Sequence, residues 1–218
     1  LTLVLVRRQN LILRRHRVNA LAANFEADTS RDFLQRPLFD ERRPQLRLRP
    51  AKALHHFREL LKDKENTEEV FRIFESLPWK DLRKAGERFL TSEKGMDLRV
   101  REPFLPAILD DHAALRRMPA GSLAHAYCDF MEGEGLTAQG LVDEFDRFAA
   151  DKPKYHDQFQ WYMNRMRDVH DMLHVLTGYG RDALGEQCAL GFSYGQDRGW
   201  TALVIAWAGA VELRRRVK

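Results

Sequence analysis

His170 and His174 stand four residues apart, Asp171 directly follows the first, and Glu186 follows the second with eleven residues between them. On a helix, an i, i+4 pair projects from one face, one turn apart. Asp171 has a short carboxylate beside the first imidazole. Glu186 lies past the Gly178–Gly180 turn, where an antiparallel partner helix brings it back over the histidines. Two imidazoles with nearby carboxylates form a first shell for a divalent metal ion. Val169, Met172, Leu173 and Val175 give the pair an apolar setting, in which ionisable groups need partners. The competing reading is two solvated or capping histidines, with Glu186 an ordinary first-turn carboxylate favoured by the helix dipole. Spacing alone leaves both open. The pattern also departs from the metalloprotease helix H-E-x-x-H, because Asp171 is one methylene shorter than the glutamate base; this disfavours a protease or other metal hydrolase.

These residues need helices to position them. Apolar residues at Phe159, Tyr162, Met163, Met166, Val169, Leu173 and Leu176 predict one long helix over Tyr155–Leu176, stopped by Gly178 and Gly180. From about Ala183 the pattern is helical to the end, with irregularity near Gly195 and Gly199. Upstream, Leu54, Phe57 and Leu61 mark one helix. Val70, Phe71 and Phe74 mark another, with Asn66 or Thr67 as its cap. A third follows Pro78 at its N1 position and carries Leu82, Ala85 and Phe89. Phe104, Ile108, Leu109 and Leu115 continue the theme to Pro119. Ser122–Met131 forms a short helix ended by Gly133 and Gly135, and Leu141, Phe145 and Phe148 run to the break at Pro153. Alternating β-branched runs are scarce. The expected architecture is all-α: a single multi-helix domain with a metal site between two C-terminal helices.

A chain of 218 residues that is 44% hydrophobic can bury one core. Residues 1–45 read as an N-terminal basic extension and 46–218 as the helical domain. The first part holds Arg7, Arg8, Arg14, Arg15 and Arg17 before its first acid, Glu26. Such a start suits a mitochondrial targeting segment, a membrane-surface helix or a start placed too far upstream. Residues 36–50, with three prolines and five arginines, read as a linker. Cys128 and Cys188 suit two reduced thiols better than a disulfide framework. No stretch reaches the roughly 20 apolar residues of a membrane span. Thr201–Val211 instead reads as a buried or interfacial helix, and the run Arg214, Arg215, Arg216 after it serves either anionic lipid or the helix dipole. The basic residues form no stripe interleaved with aromatics, so nucleic acid is not an expected partner.

The stretch His170-Asp171-x-x-His174, eleven residues, then Glu186 resembles the HDxxH-x11-E signature of the coenzyme Q (ubiquinone) biosynthesis protein 4 family. MPAGSLAHAYCDFMEGEGL at 118–136 and GEQCALGFSYGQ at 185–196 are similar to that family's flanking segments, and the likeness runs over about residues 50–213. Ala124 stands where the family pattern has a second small Gly. Family members continue past the point matching Lys218, so a truncated or short member is expected.

The resemblance implies a role in ubiquinone biosynthesis: C1 decarboxylation, in an oxidative form, of a polyprenylated 4-hydroxybenzoate ring. It implies His170, Asp171, His174 and Glu186 as metal ligands, with Asp171 and Glu186 also catalytic. Zinc is the ion associated with the family, while iron, manganese or cobalt suit the same donors. The alternative is a non-catalytic scaffold of the biosynthetic complex, holding a prenyl lipid and a structural metal. Implied partners are the prenylated substrate or lipid, other ubiquinone-biosynthesis proteins, a membrane surface and, as a homo-oligomer, further copies of the chain. The implied location is peripheral, on the cytoplasmic side of a bacterial inner membrane or the matrix side of the mitochondrial one. Phe159, Trp161, Tyr162, Met163 and Met166 either line a channel for the tail or, as helical aromatics usually do, form core.

Overall fold

The computed structural model describes residues 35–216 apart from 46, 64 and 65; the arginines of the expected targeting or surface segment lie outside the described residues. Among those described, the chain is helical with no strand. The helices are α1 (Pro50–Lys62), α2 (Thr67–Ser76), α3 (Leu82–Leu90), α4 (Glu93–Arg101), α5 (Leu105–Leu109), α6 (His112–Leu115), α7 (Leu123–Glu134), α8 (Ala138–Phe148), α9 (Gln158–Asp168), α10 (His170–Thr177), α11 (Ala183–Asp197) and α12 (Trp200–Arg216). Polar caps set many of the starts: the side chains of Ser92, Asp111, Ser122, Thr137, Asp157 and Asp182 each accept a first-turn amide. Each satisfies a backbone donor that a helix start leaves unpaired.

Three apolar clusters hold the helices together. Leu105, Leu109, Tyr127, Met131 and Ala138 form one, Leu90, Phe159 and Trp161 a second, and Ala53, Ile73, Leu77 and Ile205 a third. The most extensive pairings join α11 to α12 and α1 to α2. In α1 the buried positions are Ala53 and His56, while Leu54 of the expected stripe is half exposed. The tight α1–α2 approach selects the small Ala53, and His56 meets Glu69 there through Nδ1 at 2.7 Å. Pro78 does not start α3; the helix begins at Leu82 behind Asp81, and Pro78 sits in the preceding turn.

The expected long helix 155–176 is two helices, broken at Val169 (φ −87, ψ −1). The break lets each half fill a different cluster. Phe159, Trp161, Tyr162 and Met163 pack around Leu90, whereas Val169, Met172 and Val175 pack around Leu105 and Tyr127. Those aromatics therefore pack as part of the core.

Residues 36–43, read as linker, are instead tied to the start of α9. The amides of Gln158 and Phe159 donate to the carbonyls of Pro37 and Leu38 at 3.1 Å each. Buried Asp157 accepts from the Asp40 amide at 2.7 Å and from Arg43 Nε and Nη2 at 2.5 and 2.8 Å. Neither Cys128, which is buried, nor Cys188 is in a disulfide.

Candidate metal centre

The turn from α10 into α11 builds the site. Gly178 closes α10 in the left-handed region at φ 71, a conformation glycine adopts without the Cβ penalty. Asp182 restarts the chain, its carboxylate accepting the amides of Leu184 and Gly185. Gly185 passes so close to Gly180 that a Cβ would sit 1.9 Å from the Gly180 carbonyl oxygen. That approach folds α11 back along α10 and places Glu186 over the histidine pair. Arg181, 3.6 Å from Glu134, ties the turn to the end of α7.

His170, His174 and Glu186 each offer a ligand atom, and these three atoms all lie within 4.8 Å of one another. The two Nε2 atoms are 3.3 Å apart; Glu186 sets one oxygen 3.4 Å from His170 Nε2 and the other 3.4 Å from His174 Nε2. Metal–nitrogen bonds of about 2.0–2.1 Å at a tetrahedral angle separate neighbouring ligand atoms by about 3.3 Å, so the triangle fits a divalent ion. The donor chemistry agrees. His174 Nδ1–H donates to the Tyr179 carbonyl at 3.0 Å, which fixes the tautomer that leaves Nε2 free to ligate. Its ring is buried and stacked on Phe130 of α7.

Asp171 is not drawn into this group. Adjacent helical residues point about 100° apart, so its carboxylate diverges from His170. It remains half-buried, and its charge acts on both His174 and Tyr127.

Burial alone would push the Glu186 carboxyl up, but its bonds to His170 and His174 hold it down at about 2. For His174, burial lowers the imidazolium, yet the Glu186 bond and charge outweigh it and the net shift is upward. A buried carboxylate beside His170 and His174 therefore suits a cation. Side chains of His170 and Glu186 are about a third exposed, at 31% and 32%, against 0% for His174. One side of the triangle is thus open to an incoming ligand.

Sequence reasoning did not find Phe130, the Tyr179 carbonyl or the Asp182 cap. Phe130 lies inside the flanking segment 118–136 but at no spacing that points to His174. A backbone acceptor leaves no sequence signal. Asp182 just before an apolar helical run is a recognisable N-cap signal.

Residues 58–216 match the family described as coenzyme Q (ubiquinone) biosynthesis protein Coq4, and the chain belongs to that family. Curated relatives include the mitochondrial ubiquinone biosynthesis protein COQ4 homolog 2 of Culex quinquefasciatus, 29% identical over 99 residues, which are 45% of this chain and 41% of that protein. The Bombyx mori homolog is 29% identical over 99 residues, 45% of this chain and 36% of its own length. The Danio rerio homolog is 26% identical over 113 residues, 52% and 39% respectively. The chain thus aligns with well under half the length of these relatives. No solved structure matches it.

Proposed function

We propose that this chain acts in ubiquinone biosynthesis by removing the C1 carboxylate of a polyprenylated 4-hydroxybenzoate ring, in an oxidative form that leaves a hydroxyl at that carbon. The observation that carries this reading is the His170–His174–Glu186 triangle with one open side. A divalent ion bound there, zinc foremost and iron, manganese or cobalt by the same donors, supplies Lewis acidity toward the substrate's carboxylate or phenolate. His170 and His174 would hold it through their Nε2 atoms and Glu186 through its carboxylate. Asp171, outside the triangle, is the nearby carboxylate that accepts a proton from the substrate phenol. In the oxidative form the carboxyl leaves as carbon dioxide, one oxygen atom of dioxygen becomes the new hydroxyl and the other leaves as water, with two protons and an external two-electron donor completing the balance.

The chain meets this greasy substrate at a membrane surface, as a peripheral protein alongside other enzymes of the pathway. No helix among the described residues is long and apolar enough to cross a bilayer. The test supplies a prenylated 4-hydroxybenzoate in detergent to protein loaded with each metal, with and without oxygen, and follows the carboxyl group by mass spectrometry. Metal-dependent loss of the carboxyl in the parent protein, absent in Glu186→Ala, supports the enzyme. Tight metal and prenyl-lipid binding without turnover replaces it with the scaffold role.

A further inference from the structure

Tyr127 stands one turn before Phe130 on α7, the helix packed against α10. Phe130 stacks on His174, and Tyr127 belongs to the apolar cluster that Val169, Met172 and Val175 join from around the histidines. Tyr127 is 2% exposed, and its hydroxyl is buried with no hydrogen-bond partner among the described residues. A buried hydroxyl left unbonded is costly. Phe would fill the same space without that cost, so packing does not account for the oxygen.

The charges around the phenol say which acceptor it faces. Burial pushes the Tyr127 phenol up, and the charge of Asp171 pushes it further, ahead of Asp110, Cys128 and Asp168. Such a phenol stays protonated and remains a donor. Two of the three carboxylates are already committed. Asp110 takes the Ala138 amide on one oxygen at 2.7 Å and the Gln139 amide on the other at 2.9 Å. Asp168 is held by Arg167 Nε and Nη2 at 2.7 and 2.6 Å. Asp171 is different: among the described residues its side chain has no hydrogen bond and no ion pair. A sealed donor without an acceptor thus lies in the field of a half-buried acceptor without a donor. The half-buried carboxylate is the member free to turn.

We infer that Tyr127 is the positioning residue for Asp171, its hydroxyl donating a hydrogen bond to the Asp171 carboxylate in the working site. The inference rests on the reading of Asp171 as the group that accepts the substrate's phenolic proton. The bond fixes the direction of a carboxylate that no other described residue holds. The hydroxyl makes it from inside the core, without touching the substrate.

The experiment begins with a double-mutant cycle in the full chain, read by urea unfolding of Tyr127→Phe, Asp171→Ala and the two combined. Tyr127→Phe should raise the unfolding equilibrium constant by about tenfold in the parent background, as loss of a hydrogen bond to a charged group does, and should not raise it in Asp171→Ala. A substitution that is neutral or stabilising in both backgrounds overturns the inference, because the hydroxyl then has no partner. A loss of equal size in both overturns it too and assigns the hydroxyl to another acceptor, such as the His112 ring that meets Tyr127 edge-on at 6.3 Å. With the prenylated 4-hydroxybenzoate, Tyr127→Phe should lower kcat by about tenfold and leave KM and metal affinity unchanged. Coupling in the cycle with kcat unchanged overturns the positioning role and leaves a structural contact. Absence of turnover in the parent protein is a failure of the reaction reading; the cycle, which needs neither ion nor substrate, still decides whether the pair exists.

Discussion

Phe130 lies flat against His174, the two rings 5.9 Å apart between centroids and only 12° from parallel. Together with the Tyr179 carbonyl on Nδ1, the stack leaves the imidazole one orientation, with Nε2 toward Glu186. Groups that orient a metal ligand typically alter affinity by about 10–100-fold when removed. Phe130→Leu, which keeps most of the packing, should therefore weaken metal binding by about tenfold in a competition titration against a chelating dye. An unchanged affinity would reduce Phe130 to core.

His174→Ala should abolish stoichiometric metal binding. The readout is the shift in melting temperature on adding metal, because an ion that binds only the folded state stabilises it by about 2.7 kcal/mol at a hundredfold excess over Kd. The parent protein should show the shift, and lose it with chelator; the variant should show none. A metal-dependent shift retained by the variant would sink the assignment of this residue.

Gly185→Ala should cost about 1–3 kcal/mol, the usual range for forcing extra volume into a packed site. The added Cβ meets backbone, the Gly180 carbonyl oxygen, and backbone cannot rotate away as a side chain would. Because the same approach aligns Glu186, metal affinity should fall along with the melting temperature. Gly191→Ala is the control: its Cβ meets nothing within 4 Å, and replacing a mid-helix glycine should leave stability equal or higher.

Asp157 provides an acid-dependent stability increment. Burial would raise its carboxyl, but Arg43 and the amides of Asp40 and Gln160 outweigh that and hold it below the usual 3.8. A carboxyl depressed in the folded state contributes stability that is fully present above its unfolded value and is lost as pH falls through the folded one. Acid unfolding below about pH 4 should therefore be shallower in Asp157→Asn than in the parent protein. Arg43→Ala strands a buried carboxylate and should cost about 3 kcal/mol at neutral pH, read by urea unfolding.

The helical class and most of the helices were legible because apolar spacing reports which side of a helix is buried. That signal is blind to a change of axis: Val169 continues the same periodicity as Met166 and Leu173, so the break there shows only once Phe159 and Met172 are found in different clusters. The same limit applies to Leu54, which has a core residue's spacing but yields to Ala53 where two helices approach closely. At the site, His170, His174 and Glu186 were legible because an i, i+4 pair and a turn of glycines fix their approach locally. Asp171 was grouped with them by adjacency in sequence, which is angular divergence on a helix. Arg43 and Asp157, 114 positions apart, left no trace in spacing, and the prolines around Arg43 spoke for a linker.

The three members of the triangle come from a single helical hairpin, residues 170–186, rather than from distant parts of the chain. Bringing its ends together closes only a short loop, which costs little chain entropy and takes well under a millisecond. The hairpin alone thus brings the three candidate ligands together, with no contact needed from the clusters around Leu90 and Ile73. Ion capture at that stage would make the metal a nucleus for folding as well as a reagent, and metal starvation would then lower the yield of folded protein rather than merely leave it idle.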